Sequence, residues 1–269
     1  MDRIIKLFQN KKTRKTILIW TVIIIITALY AHFNEGSENQ ALWGDFNQTQ
    51  TETQSTQENT KPAAETTQRE ETAQNSNTQS NKKLFGEIPE YKDGDITYVI
   101  DNNNPGFTKK EKERLSINGY EYYSSLDNLG RCGYAEACVG PETKPEDDRK
   151  SISQVHPSGW HSGMGYERCH LIAFCLTGEN ANDHNLVTGT YTMNHKGMLP
   201  IEIEVSNYVE DTGHHVMYQV TPYFKDNELV CRGVQIRAQS IEDNKIRYNV
   251  FCYNGEQGQK INYKTGMVY

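Results

Sequence analysis

The rhythm of apolar and polar positions divides this chain of 269 residues into three parts. Residues 16–33 (TILIWTVIIIITALYAHF) carry no Asp, Glu, Lys or Arg. At about 1.5 Å per residue such a run crosses the hydrocarbon core of a bilayer with little tilt, which predicts a membrane-spanning helix. From 34 to 83 the chain is Gln, Thr, Asn, Glu and Ser with few apolar residues. It cannot bury enough surface to offset the entropy of ordering it and reads as a disordered tether. Residues 84–269 recover the patterning of a folded domain. Positions 97–100 read as a short strand, 102–106 (NNNPG) as a turn, and Thr108 with Glu111 as a capping box opening a helix to about Leu115. Met198, Ile201, Val205, Tyr208 and Val209 recur at near-helical spacing, with Pro200 acceptable in a first turn or marking a kink. Alternating runs at 215–223, 229–239 and 246–253, separated by polar turns at 225–227 and 242–244, predict hairpin-linked strands of an antiparallel sheet. The expected class is α+β.

Charge orients the first part. Arg3, Lys6, Lys11, Lys12, Arg14 and Lys15 precede the uncharged run against Asp2 alone. A basic flank stays cytoplasmic, so everything after Phe33 is expected outside a single-pass anchor. A cleaved signal peptide, which would release the domain, is the competing reading. Only an imperfect small-residue cleavage pattern around Ala28 and Ala31 favours it. An external location points Cys132, Cys138, Cys169, Cys175, Cys231 and Cys252 toward disulfides, with Cys231–Cys252 across two strands and Cys132–Cys138 around a small loop as candidate pairs. The absence of any C-x-x-C spacing speaks against a structural zinc site.

The candidate chemistry lies in residues 165–173 (GYERCHLIA), followed by Asn185 and Asn194. An imidazole, a guanidinium and two neutral amide oxygens within about thirty residues supply what phosphodiester hydrolysis with one bound Mg²⁺ requires. Those requirements are a base for water, a ligand for the ion and a cation for charge building on phosphorus. The net charge of −7 for the chain argues the other way, since a polyanionic substrate is not attracted from a distance by an acidic protein. Local basic residues govern the cleft itself.

Glu167-Arg168-Cys169-His170 resembles the D-R-G-H signature of the DNA/RNA non-specific endonucleases, a ββα-metal (His-Me finger) group. The likeness continues through Leu171-Ile172, 178–182 (GENAN), 185–188 (NLVT), Met193-Asn194 and 197–202 (GMLPIE), with 129–133 and 157–160 also similar. Glu167 stands where the family has Asp, and Cys169 where it has Gly, so Cys169 either tolerates the glycine geometry or enters a disulfide. The resemblance implies a ββα-metal core and a role for each matching residue. His170 is then the general base, and Asn194 the one direct ligand of Mg²⁺, with Mn²⁺ as a substitute. Asn185 supports the site by hydrogen bonding, and Glu202 orients water at the metal. Arg168 binds phosphate in the transition state, with Glu167 holding that arginine. His156, His161, His184, His195, His214 and His215 lack such company and read as structural. The expected partners are DNA, with RNA as a second substrate class, through the phosphate backbone, and a lipid bilayer through 16–33. A surface-anchored binding module without catalysis explains anchor, tether and sheet equally well but leaves the motif unexplained. A cysteine hydrolase using Cys169 or Cys175 is a third reading.

Overall fold

The computed structural model describes Gly86 and residues 88–269. The expected membrane span at 16–33 and tether at 34–83 lie outside the described residues. Among the described residues no helix is long and apolar enough to cross a membrane.

The scaffold is a six-stranded antiparallel sheet in the order β1-β8-β7-β6-β3-β2. Its strands are β1 (Thr97–Val99), β2 (Glu121–Tyr123), β3 (Ala135–Val139), β6 (Val216–Tyr223), β7 (Gly233–Ser240) and β8 (Arg247–Tyr253). Between β3 and β6 the chain forms β4 (Glu167–His170), a helical turn α2 (Phe174–Thr177) and β5 (Leu186–Gly189). A π-helical segment (Thr192–Met198) then runs into a longer helix, Leu199–Thr212. With the early helix Lys109–Leu115 numbered α1, this longer one is α3. Two-residue strands β9 (Ile261–Asn262) and β10 (Met267–Val268) pair near the end.

The long strands obey the period-two rule on both faces of the sheet. Val216, Tyr218 and Val220 of β6, Val234, Ile236 and Ala238 of β7, and Val250 and Cys252 of β8 enter the main core, together with Val205 and Val209 of α3 and Leu171 and Val187 beside β4 and β5. The alternate positions carry a polar row, Glu136, Gln219, Arg237 and Asn249, one per neighbouring strand. Arg114 of α1 closes on the buried Glu136 carboxylate at 2.6 and 2.8 Å, and Tyr120 and Gln219 add hydrogen bonds at 3.0 and 2.8 Å. α1 begins as expected, with Thr108 and Glu111 capping each other reciprocally. Pro222 is tolerated inside β6 because pairing with β3 ends at Val220, leaving its nitrogen no ladder bond to lose on that side.

Two expectations need correction. The apolar run expected as a strand over 229–239 pairs only from Gly233, because the amides of Leu229 and Val230 both turn to the Tyr263 carbonyl at 2.9 Å. The six cysteines are free thiols, so the disulfides do not form. Cys252 faces Val234, three residues beyond Cys231, and the Cys231 sulfur takes a 3.6 Å contact from Asn254. Cys138 lies inside extended β3, while the Cys132 thiol donates to the carbonyls of Asp183 and Leu186 at 3.2 and 3.1 Å. Extended chain rises about 3.3 Å per residue, which separates these two well beyond the roughly 7 Å that a disulfide spans.

Candidate active site

β4 and β5 form a separate antiparallel pair, with Glu167 opposite Gly189, Arg168 opposite Thr188, Cys169 opposite Val187 and His170 opposite Leu186. Alternation sends Glu167 and Cys169 to one face and Arg168 and His170 to the other. Cys169 is wholly buried. Its sulfur fills the room beside Gly189, where an added Cβ would sit 2.3 Å from it. A cysteine therefore fits in place of glycine because a glycine on the partner strand leaves the space. Burial also holds the Cys169 thiol well above its ordinary range and raises that of Cys175. Burial disfavours the thiolate at both, which weighs against the cysteine hydrolase reading.

His170 is buried at the end of β4. Its Nε2 lies 2.7 Å from the Asn180 carbonyl. A carbonyl only accepts, so Nε2 carries the proton and Nδ1 keeps a bare lone pair. Burial pushes the imidazole down to about 4. The positive charge of Arg149 acts in the same direction and the Asn180 bond opposes both. The ring is neutral at physiological pH and able to accept a proton. Asn185 fixes the chain immediately after it: Oδ1 accepts from the Ile172 amide at 2.9 Å, Nδ2 donates to the Ile172 carbonyl at 3.0 Å, and its own carbonyl receives the Leu171 amide at 2.8 Å.

Asn194 sits in the π segment, where the Leu199 amide reaches back to the Asn194 carbonyl in place of the usual residue. Pro200 follows, and since it has no amide to give, the wider register costs little there. The α-helix proper begins at Leu199 with Pro200 in its first turn, as expected, and the π segment runs directly into it. Asn194 Nδ2 donates to Glu167 Oε2 at 2.7 Å, and His195 Nε2 lies 3.0 Å from the same oxygen. With Nδ2 committed, Oδ1 of Asn194 is left to accept. Glu167 thus holds Asn194 and His195 rather than Arg168, as opposite faces of one strand require.

Arg168 donates from Nε to the Val155 carbonyl at 2.5 Å and from Nη2 to the Ser153 carbonyl at 2.8 Å, with its guanidinium 4.0 Å over the Trp160 ring. One edge of its fork clamps the 153–160 segment, leaving Nη1 for another acceptor. Glu202 is buried on α3, and burial pushes its carboxyl up to about 8, partly opposed by Arg149.

These pairs form two ends of one construction. Glu167 and Asn194 are bonded at one end. His170 and Glu202, three residues along the strand and eight along the helix, both feel Arg149 at the other. Sequence reasoning missed Arg149, which lies directly after Glu146, Asp147 and Asp148 and reads locally as part of a solvated acidic loop. It also missed His195, which is an ordinary surface histidine until the fold brings Glu167 to it. Among the described residues no group of three or more His, Cys, Asp or Glu could cage a metal. The donors at hand are the oxygens of Asn194 and Glu167, which suit a hard, largely hydrated cation.

Residues 110–242 match the model of a family described as DNA/RNA non-specific endonuclease. Among solved structures the chain is similar to NucA from Streptococcus agalactiae, crystallised with a magnesium ion bound, at 25% identity over 71% of this chain and 95% of that one, with a TM-score of 0.58. The metal-free form of the same protein gives a TM-score of 0.57. The Sda1 nuclease, solved with a bound zinc ion, is 26% identical over 56% of this chain and 81% of its own, with a TM-score of 0.51.

Proposed function

Since the chain belongs to the DNA/RNA non-specific endonuclease family, a family of hydrolytic enzymes acting on nucleic acid, we propose that it is a Mg²⁺-dependent endonuclease cutting the backbone of DNA and RNA with His170 as general base. The observation that carries this reading is His170 itself. Its proton is pinned to Asn180, its other nitrogen is bare, and it remains neutral far below physiological pH.

Asn194, through Oδ1, is the residue that would hold the ion, with Glu167 fixing the amide's orientation. Support for Mg²⁺ comes from the oxygen donors and from the magnesium-bound NucA relative. Mn²⁺, with the same preference for oxygen, is expected to substitute. When bound, such a cation supplies positive charge against the oxygens of the scissile phosphate. His170 Nδ1 takes the proton from the attacking water. The Arg168 Nη1 edge and Arg149 offer cationic donors to the phosphate, and Arg168 also fixes the 153–160 segment beside the site. Glu202, buried on α3, orients water. These groups address phosphate and not base edges, so sequence preference is low.

Residues 16–33 anchor the chain in a bilayer with its N-terminus cytoplasmic, and 34–83 tether the nuclease on the outer side. The uncharged run and its basic flank support this reading. Protease added to intact cells then releases the domain. A protected domain reverses the orientation, and a mature chain starting near His32 replaces the anchor with a cleaved signal.

The catalytic claim is tested by incubating the protein with supercoiled plasmid and with RNA, with Mg²⁺, with Mn²⁺ and with EDTA. Cutting of closed circles and of RNA that EDTA abolishes is expected. A plasmid that survives while linear DNA is degraded from its ends rules out an endonuclease.

A further inference from the structure

Tyr191 opens the helix that carries Asn194, and its ring is half exposed. One face lies on the His195 imidazole, with centroids 4.3 Å apart and planes 16° from parallel. His195 is held by Glu167 at 3.0 Å, and the same Glu167 oxygen holds Asn194 at 2.7 Å. The helix start is fixed as well: the Thr192 amide and hydroxyl donate to Glu256 at 2.9 and 2.7 Å, and the Thr190 amide donates to Asn254 at 2.8 Å. An aromatic ring is therefore mounted on the same rigid unit as the candidate metal ligand. Its inner face is backed by a second ring and its outer face is open to solvent.

An isolated exposed aromatic needs no explanation. Three features separate Tyr191 from the exposed Tyr98 and Tyr122 of the sheet edges: it shares an element with Asn194, it is stacked nearly parallel on its neighbouring ring where Tyr122 only meets Tyr134 at a 38° tilt, and that neighbouring ring is tied to the carboxylate that orients Asn194. A ligand that places a phosphate near Asn194 and a flat π surface beside it is a nucleotide. We propose that Tyr191, backed by His195, is a stacking platform for one nucleobase adjoining the scissile phosphodiester. This rests on the nuclease reading and adds to it a contact with the base plane. Stacking accepts any of the four bases, because each has a π face, so the platform leaves cutting non-specific. It does favour strands whose bases can turn outward, such as single strands and frayed ends over intact duplex.

The test uses the full chain with Mg²⁺ and two single-stranded deoxyoligonucleotides of equal length. One carries thymine throughout, and the other carries abasic residues flanking the scissile linkage. Loss of one base stack corresponds to roughly tenfold weaker binding. The wild type should show a KM about tenfold higher on the abasic strand with little change in kcat. Tyr191→Ala should show the raised KM on both strands, while Tyr191→Phe, which keeps the ring, should behave as wild type. A variant Tyr191→Ala that still distinguishes the two strands by the wild-type factor overturns the platform. So does one whose kcat falls equally on both, the mark of a merely structural role. Failure of the wild type to cut either strand, or plasmid, removes the nuclease reading and the platform with it.

Discussion

Glu136 and Glu202 are both buried carboxyls, one in the sheet and one on the helix that follows the candidate metal ligand. Glu136 lies on β3 with a guanidinium fork, a phenol and an amide closed around it. Glu202 lies on α3, and burial pushes it up to about 8, with Arg149 the one charge acting to lower it. The same contrast runs through the surrounding elements. β6, β7 and β8 are seven or eight residues long and paired in continuous register. β4 and β5 have four residues each and abut a helix widened at Asn194. Around Glu136 the buried polar groups of the sheet partner one another and lock the fold. At the site they are left incompletely partnered, so that a substrate, a proton or an ion can complete them.

The sharpest way to break this contrast is at His170. His170→Ala should lower turnover on plasmid by roughly 10² to 10⁴ while leaving the thermal midpoint close to wild type. Added imidazole should restore part of the rate in proportion to its neutral fraction. Unchanged turnover with an unchanged pH profile would end the general-base assignment. Asn194→Ala should cost less, about a hundredfold at low Mg²⁺, and its defect should shrink as Mg²⁺ is raised but ignore imidazole. A loss insensitive to Mg²⁺ would remove Asn194 as the ligand.

The sheet should respond in stability and not in catalysis. Glu136→Gln strips the charge from a charge-assisted network and should lower unfolding free energy by about 2 kcal/mol in a denaturant titration, with specific activity of the folded fraction unchanged. Lost activity at full folding would show that the two regions are coupled.

Glu202 and His170 give the metal-free protein a pH signature of similar size. Glu202 holds its proton in the folded state up to about 8 but releases it near 4.5 when unfolded, so the folded state binds the extra proton and stability is lost as pH rises through that window. His170 is reversed: it stays neutral down to about 4 when folded and protonates near 6.5 when unfolded, so its stability is lost as pH falls between those values. The two slopes oppose each other from about 4.5 to 6.5, which predicts a plateau there and a decline from 6.5 to 8. Glu202→Gln should flatten the upper decline, and an unchanged decline in that variant would show that Glu202 is already ionised. The smallest effect expected is at Thr108→Ala, which removes one half of the capping box and should cost about 1 kcal/mol with no change in activity.

The elements legible in the sequence are those whose cause is local. The Thr108–Glu111 cap, the alternation along β6 and β8, and the helical stripe through Val205 and Val209 each declare themselves within a few residues, because backbone period and capping bonds act over that range. The motif spacing likewise marked out Glu167, Arg168, His170, Asn185, Asn194 and Glu202 as one set. β3 is wholly buried on both faces and carries no alternation to read, and β4 and β5 are too short to show a period.

What the tertiary structure alone decided was partnership. Glu167 turned to Asn194 and His195 because β4 is a strand and its neighbours face opposite ways. Cys169 proved to fill the gap at Gly189, not to enter a disulfide, because β5 lies opposite. The charge of Arg149, distant in sequence, acts on both Glu202 and His170 because folding brings α3 and β4 within its range. Sequence sets the period of a chain and the chemistry of each side chain, whereas the partner of a buried group is chosen by elements that meet only after folding, and it is the partner that fixes protonation and role.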